Sequence, residues 1–169
     1  LMHTLCLRNT WSWGYGTPRP ELSRLNAHTI LAREQSLGEF KLWLEDAPPL
    51  LFTENETNTQ RMWGWDDGAP YSKDAFHRYL IQGELGAVNP DETGTKACGV
   101  YRVELEPSGA RVLHFRLYSG ADDTPPDFHQ VFLDRLEEAD DFYSFAPASL
   151  SDDARLVQRQ AFAGLLWSK

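Results

Sequence analysis

Cysteine is scarce in this chain, with Cys6 and Cys98 the two examples in 169 residues. Two thiols are too few for a disulfide framework or a structural zinc site. Both lie in apolar, strand-like stretches, so the sequence predicts two buried thiols in a reducing compartment, taken as the cytoplasm. Positive charge is short as well: 16 Lys and Arg stand against 25 Asp and Glu, for a net charge of −9. A phosphate backbone needs a basic footprint, and no Lys/Arg cluster is present, so nucleic acid is not an expected partner. No apolar run reaches the roughly 18–20 residues that span a bilayer, which removes a membrane partner. Phosphate-cradling glycine motifs and a G-x-S-x-G nucleophile elbow are missing too. His3, His28, His77, His114 and His129 are scattered along the chain, so neither a metal nor a cofactor is expected.

What is present is ordinary globular material, 41% apolar and 12% aromatic. A chain of this size buries roughly 70% of its unfolded surface, enough for one real core. Most of the first 120 residues read as strand. His3–Trp13 alternates, and the runs His28–Ala32 and Glu39–Asp46 flank Gly38 as two strands flank a hairpin turn. In the second run Phe40, Leu42 and Leu44 share one face, with Lys41 and Trp43 on the other. Pro49–Glu54 is another strand. Thr95–Glu106 and Ala110–Ser119 make the clearest hairpin, turning at Pro107-Ser108-Gly109. A short helix is expected from Ser72 to Gln82, closed by Gly83.

The end of the chain changes character. Thr124 suits a cap with Pro125 at the first helical position, and Phe128, Val131, Phe132, Leu136, Ala139 and Phe142 form a stripe at helical spacing. A second helix follows, capped by Ser151, with Asp152 and Asp153 at the positive end of its dipole. Its apolar face is still strong at Leu165, Leu166 and Trp167. With methionine second and a helix unfinished at Lys169, the expectation is a piece of a longer protein. The expected fold is mainly β: a β-sandwich-like domain over residues 1–120, then a helical segment over 121–169.

One stretch invites chemistry. Glu54-Asn55-Glu56-Thr57-Asn58 is closely followed by Trp63 and Trp65, and carboxylates, amides and indoles are the groups that hold sugars. Glycoside hydrolysis needs two carboxyl groups flanking the scissile bond. Glu54 and Glu56 are two residues apart and would share one face of a strand, which does not let them flank a sugar. The candidate substrate-binding set is therefore Glu54, Asn55, Glu56, Asn58, Trp63 and Trp65, with no catalytic residue among them. Against it stands the plain reading of a hydrogen-bonded loop, with tryptophans as packing.

Three stretches, Leu7–Gly14, Leu50–Arg61 and Ala87–Ala97, together resemble the N-terminal region of bacterial glycosidases of glycoside hydrolase family 63, the mannosyl-oligosaccharide glucosidase group. The closing RQAFAGLLWSK resembles the opening of that family's catalytic (α/α)6 barrel. The resemblance implies a supersandwich-like β domain packed on that barrel, which works with inversion through a carboxylic acid and a carboxylate base. Those groups would lie beyond Lys169. This chain would then be a non-catalytic accessory domain whose partners are the barrel and carbohydrate. The alternatives are a free-standing carbohydrate-binding sandwich and a purely structural or interaction domain.

Overall fold

The computed structural model describes residues 1–122, 127–145, 147 and 149–168. The chain divides into two compact units, Leu1–Pro125 and Pro126–Lys169.

The first unit carries two antiparallel sheets. One has three strands, β1 (Met2–Cys6), β7 (Lys96–Val100) and β5 (Leu50–Thr53), in the order β1-β7-β5. The other has five: β6 (Thr93–Gly94), β2 (Glu21–Arg24), β3 (Thr29–Glu34), β4 (Gly38–Leu44) and β8 (Phe115–Tyr118), in the order β6-β2-β3-β4-β8. Leu22, Ile30, Leu42 and Leu44 from the larger sheet meet Phe52 and Ala97 from the smaller in one core. Each of these leucine, isoleucine and phenylalanine side chains contributes about 1.5–3 kcal/mol when fully buried. The β3–β4 hairpin turns where expected, with Glu34 opposite Gly38 and Gly38 at φ 82°. A side chain at that φ would be strained, and glycine is not. Residues 50–53 form the predicted strand β5, buried throughout.

Several local expectations differ from the structure. The hairpin of Thr95–Glu106 with Ala110–Ser119 does not form as a ladder. The turn exists, with the Gly109 N–H donating to the Glu106 carbonyl at 2.8 Å. But both edges of β7 are already filled, by β1 and β5, while β8 pairs with β4 in the other sheet. Residues 101–114 are therefore irregular, and Val103 and Leu113 pack on the core from outside the strands.

The two thiols also part company. Cys98 is fully buried, whereas Cys6 is exposed. On β1 the half-buried residues are His3 and Leu5, and period-two alternation turns Cys6 outward. Burial pushes the Cys98 thiol up to about 12, against the opposing charge of Lys96. Lys41, placed by its alternation opposite the core face, is likewise buried. Its ammonium donates to the carbonyls of Gly120, Ala121 and Asp122 at 3.0–3.3 Å.

Two helices interrupt the sheets, α1 (Thr59–Trp63) and α2 (Ala75–Gln82). Helix α2 ends at Gly83 as predicted, φ 72°, with the Glu84 N–H closing on Arg78. It begins at Ala75 rather than Ser72. The Ser72 carbonyl is occupied there by the Ala75 N–H at 2.8 Å and the Thr53 hydroxyl at 2.9 Å.

The second unit holds α3 (Phe128–Phe142) and α4 (Asp152–Trp167). The expected cap at Thr124 and first-turn Pro125 lie outside the described residues. Helix α3 is capped by Asp127, which accepts from the N–H groups of His129 and Gln130 at 2.9 and 3.1 Å. Ser151 caps α4 as expected, accepting from the Ala154 N–H at 3.2 Å. No described helix is long and apolar enough to cross a membrane.

Candidate functional site

The polar knot forms because β5 stops at Thr53. Up to that point its residues are buried, and from Glu54 the chain must satisfy groups that no ladder partner reaches. Thr53 itself is fully buried, and its carbonyl accepts from the Thr95 N–H at 3.0 Å. The neighbouring Gly94 is required by contact: a Cβ there would stand 2.3 Å from the Thr53 carbonyl oxygen.

Thr95, 1% exposed, then organises the exit. Its hydroxyl donates to Glu54 Oε2 and accepts from the Asn55 N–H, both at 2.7 Å. The second partner of Glu54 is the Arg19 guanidinium. The Asn55 amide donates to the Leu7 carbonyl at 3.0 Å, and its own carbonyl accepts from Asn9 Nδ2 at 2.9 Å.

Glu56 collects donors from a strap at residues 9–12. Asn9 Nδ2 reaches Oε2 at 2.9 Å, the Trp11 indole N–H reaches Oε1, and the Ser12 hydroxyl lies 2.9 and 2.7 Å from the two oxygens. These charge-assisted bonds fix a short 3-10 turn, Trp11–Trp13, whose last residue leans over the site. Asn58 is committed to structure. Its Oδ1 caps α1 through the Arg61 N–H at 2.9 Å, and its Nδ2 donates to both oxygens of Asp74 at 3.2 Å. Partial burial pushes the Asp74 carboxyl up. Hydrogen bonds from Ser72, Asn58 and Arg61, with the charge of Arg78, outweigh that and hold it below the ordinary carboxylate range.

Asn55 thus binds backbone and Asn58 both backbone and the Asp74 carboxylate, while the two glutamates are held by side chains. Glu54 faces Arg19 and Thr95, and Glu56 faces the strap, so they do not converge on one point. Trp63 and Trp65 stack near-parallel, 6.3 Å between ring centres and 15° between planes, and are 61% and 55% exposed.

Between the indoles and the strap lies an open cleft of about 510 Å³. Asn55, Glu56, Trp63 and Trp65 line it together with Trp13 and Lys73. A second cleft of about 470 Å³, lined by Arg19 and Glu54, shares Glu56 and Asp67 with the first. Glu54 therefore belongs to the neighbouring cleft, and the Asn58 side chain is turned away to its capping role. Asn9, Trp11, Ser12, Trp13, Lys73 and Thr95 are the site residues that reading outward from the knot missed. Five of the six lie in the stretches Leu7–Gly14 and Ala87–Ala97. Among the described residues no group of three or more His, Cys, Asp or Glu could hold a metal ion.

No family model matches the chain, and no solved structure matches it. A protein of Saccharomyces cerevisiae described as "Uncharacterized protein YMR196W" is 41% identical over 141 residues. The match takes in 75% of this chain and 13% of the yeast protein, so the chain spans a small fraction of the length of that relative.

Proposed function

We propose that this chain is a non-catalytic accessory domain of an inverting α-glycosidase acting on glucosides or oligosaccharides, resembling glycoside hydrolase family 63. In that reading the β unit is supersandwich-like, and α4 belongs to the opening of a catalytic (α/α)6 barrel. The parent works in the cytoplasm without metal or cofactor. The observation that carries the non-catalytic role is the commitment of both carboxylates. Glu54 and Glu56 hold separate structural hydrogen bonds, Glu54 to Thr95 and Arg19 and Glu56 to the strap, whereas inverting hydrolysis needs an acid and a base facing each other across about 6.5–9.5 Å. The indole-lined cleft beside them supports carbohydrate as the ligand class. The match to a small part of a longer yeast protein is consistent with a domain that works inside a larger chain.

The test is hydrolysis of aryl α-glucosides and α-linked disaccharides by the 169-residue chain and by its full-length parent. The parent turns them over and the chain does not, because loss of each proton-transfer group removes about 10²–10⁴-fold of rate. Turnover by the chain that Glu54→Gln or Glu56→Gln abolishes would overturn the accessory role. In the parent, Asn55→Ala and Glu56→Ala weaken catalysis or substrate binding more than they lower the melting temperature. If both lose stability and keep normal kinetics, the knot is structural and the domain has no part in substrate handling.

A further inference from the structure

We infer that the cleft between Trp13 and the Trp63–Trp65 pair is a binding site in its own right for a neutral glucose oligosaccharide, retained by this chain without any catalytic domain. The inference rests on the carbohydrate reading above and goes further, because it places the whole site within one β unit. Four observations carry it. First, three indoles are more than half exposed around one opening: Trp13 at 51%, Trp63 at 61% and Trp65 at 55%. Large aromatics left this far from the core, on a chain with a packed core elsewhere, are not core filler.

Second, Trp63 and Trp65 stack near-parallel with 6.3 Å between centres, too close for a ring to enter between them, so a ligand meets the pair at an outer face, which serves as the platform. Such a platform suits the apolar face of a pyranose ring. Third, the charged groups on the walls already hold hydrogen bonds within the protein. Glu56 takes its donors from Asn9, Trp11 and Ser12, Asp67 accepts from the Ala69 N–H at 3.0 Å, and Lys73 donates to Thr57 at 3.1 Å. An ion entering the cleft would displace these contacts, whereas hydroxyls can share them.

Fourth, Thr59 lines the cleft, is only 8% exposed, and has its hydroxyl oxygen buried with no hydrogen-bond partner among the described residues. A buried hydroxyl without a partner costs about 1–3 kcal/mol, and rotation of the Thr59 side chain toward a sugar hydroxyl or water in the cleft would relieve that cost. The strap held by Glu56 brings Trp13 to the same cleft. The Trp13 backbone N–H donates to the Thr10 carbonyl at 3.3 Å.

The experiment is a titration of the 169-residue chain, followed by tryptophan emission and calorimetry, with maltotriose and, separately, with choline chloride. Maltotriose gives saturable binding and a shift in emission, and choline gives neither. Trp63→Ala and Trp65→Ala each weaken maltotriose about tenfold, which is what loss of one stacked ring removes. Both rings are exposed, so the variants keep the parent melting temperature, and Trp63→Phe restores part of the affinity. Absence of saturation with maltotriose, binding of choline in its place, or unchanged affinity in the Trp63→Ala/Trp65→Ala double variant would overturn the site. If the chain binds no sugar while the full-length parent hydrolyses glucosides, the site assignment fails and the accessory role stands. If the chain binds maltotriose and the parent hydrolyses no glucoside, the site stands and the accessory role fails.

Discussion

The buried Thr95 hydroxyl donates to the Glu54 carboxylate at 2.7 Å while accepting the Asn55 N–H at the same distance. One side chain therefore satisfies a carboxylate and a backbone donor that leave β5 together. It does so across a separation of 41 residues from Glu54. The end of the strand is held by a partner that no local pattern supplies.

Thr95→Val keeps the shape of the side chain and deletes both bonds. The variant is destabilised by about 1–3 kcal/mol, since the Asn55 N–H loses its partner. Denaturant unfolding measures this. A midpoint equal to that of the parent would mean that water replaces the hydroxyl without loss.

The cysteines offer a test of the strand register. Cys6 is exposed and Cys98 is buried, with its thiol pushed up to about 12. At pH 8 one thiol per chain reacts rapidly with a disulfide reagent in native buffer, and two react in denaturant. Cys6→Ser removes the fast phase. Two fast phases in native buffer would show that β7 is not shielded as described.

Asp74 links stability to pH. Its folded value lies below the ordinary 3.8, so it contributes stability at every pH above the unfolded value. That contribution is lost as the pH falls through the folded value. Asp74→Asn therefore flattens the acid limb of the stability curve below pH 4 and leaves a pH-independent loss near neutrality. An unchanged acid limb in the variant would remove Asp74 from the linkage.

The second unit leaves apolar surface uncovered: Leu165 and Leu166 are 62% exposed and Trp167 is 92% exposed. Exposed apolar patches find another surface, so the 169-residue chain self-associates with rising concentration. Deleting residues 151–169 returns it to monomer in sedimentation. A monomer with and without that segment, with α4 well protected in hydrogen exchange, would contradict this.

Features that depend on neighbours in sequence were legible from the sequence. The Gly38 turn, the Gly83 stop of α2 and the Ser151 cap of α4 each follow from backbone conformation and a hydrogen bond spanning a few residues. The mainly β character of the first unit and the helices of the second followed from hydrophobic period. So did the strand at Leu50–Thr53, within the stretch read as a strand, Pro49–Glu54. The knot's residue types were legible as groups able to hold sugars.

What the tertiary structure decided is which of those groups meet, and with whom. Alternation says that residues 96–100 form a strand but not whose edge it takes, and pairing with β1 and β5 left none for residues 110–114. Alternation likewise marked Lys41 as outside the core face without showing that the 120–122 carbonyls cover it. Glu56 finds the strap 44 to 47 residues away, and that contact brings Trp13 to the same cleft as Trp63 and Trp65. Short-range order is specified by the dihedral and hydrogen-bonding preferences of each residue. The site is specified by closure of long loops against a shared core, and that free energy belongs to the whole fold rather than to any one stretch of sequence.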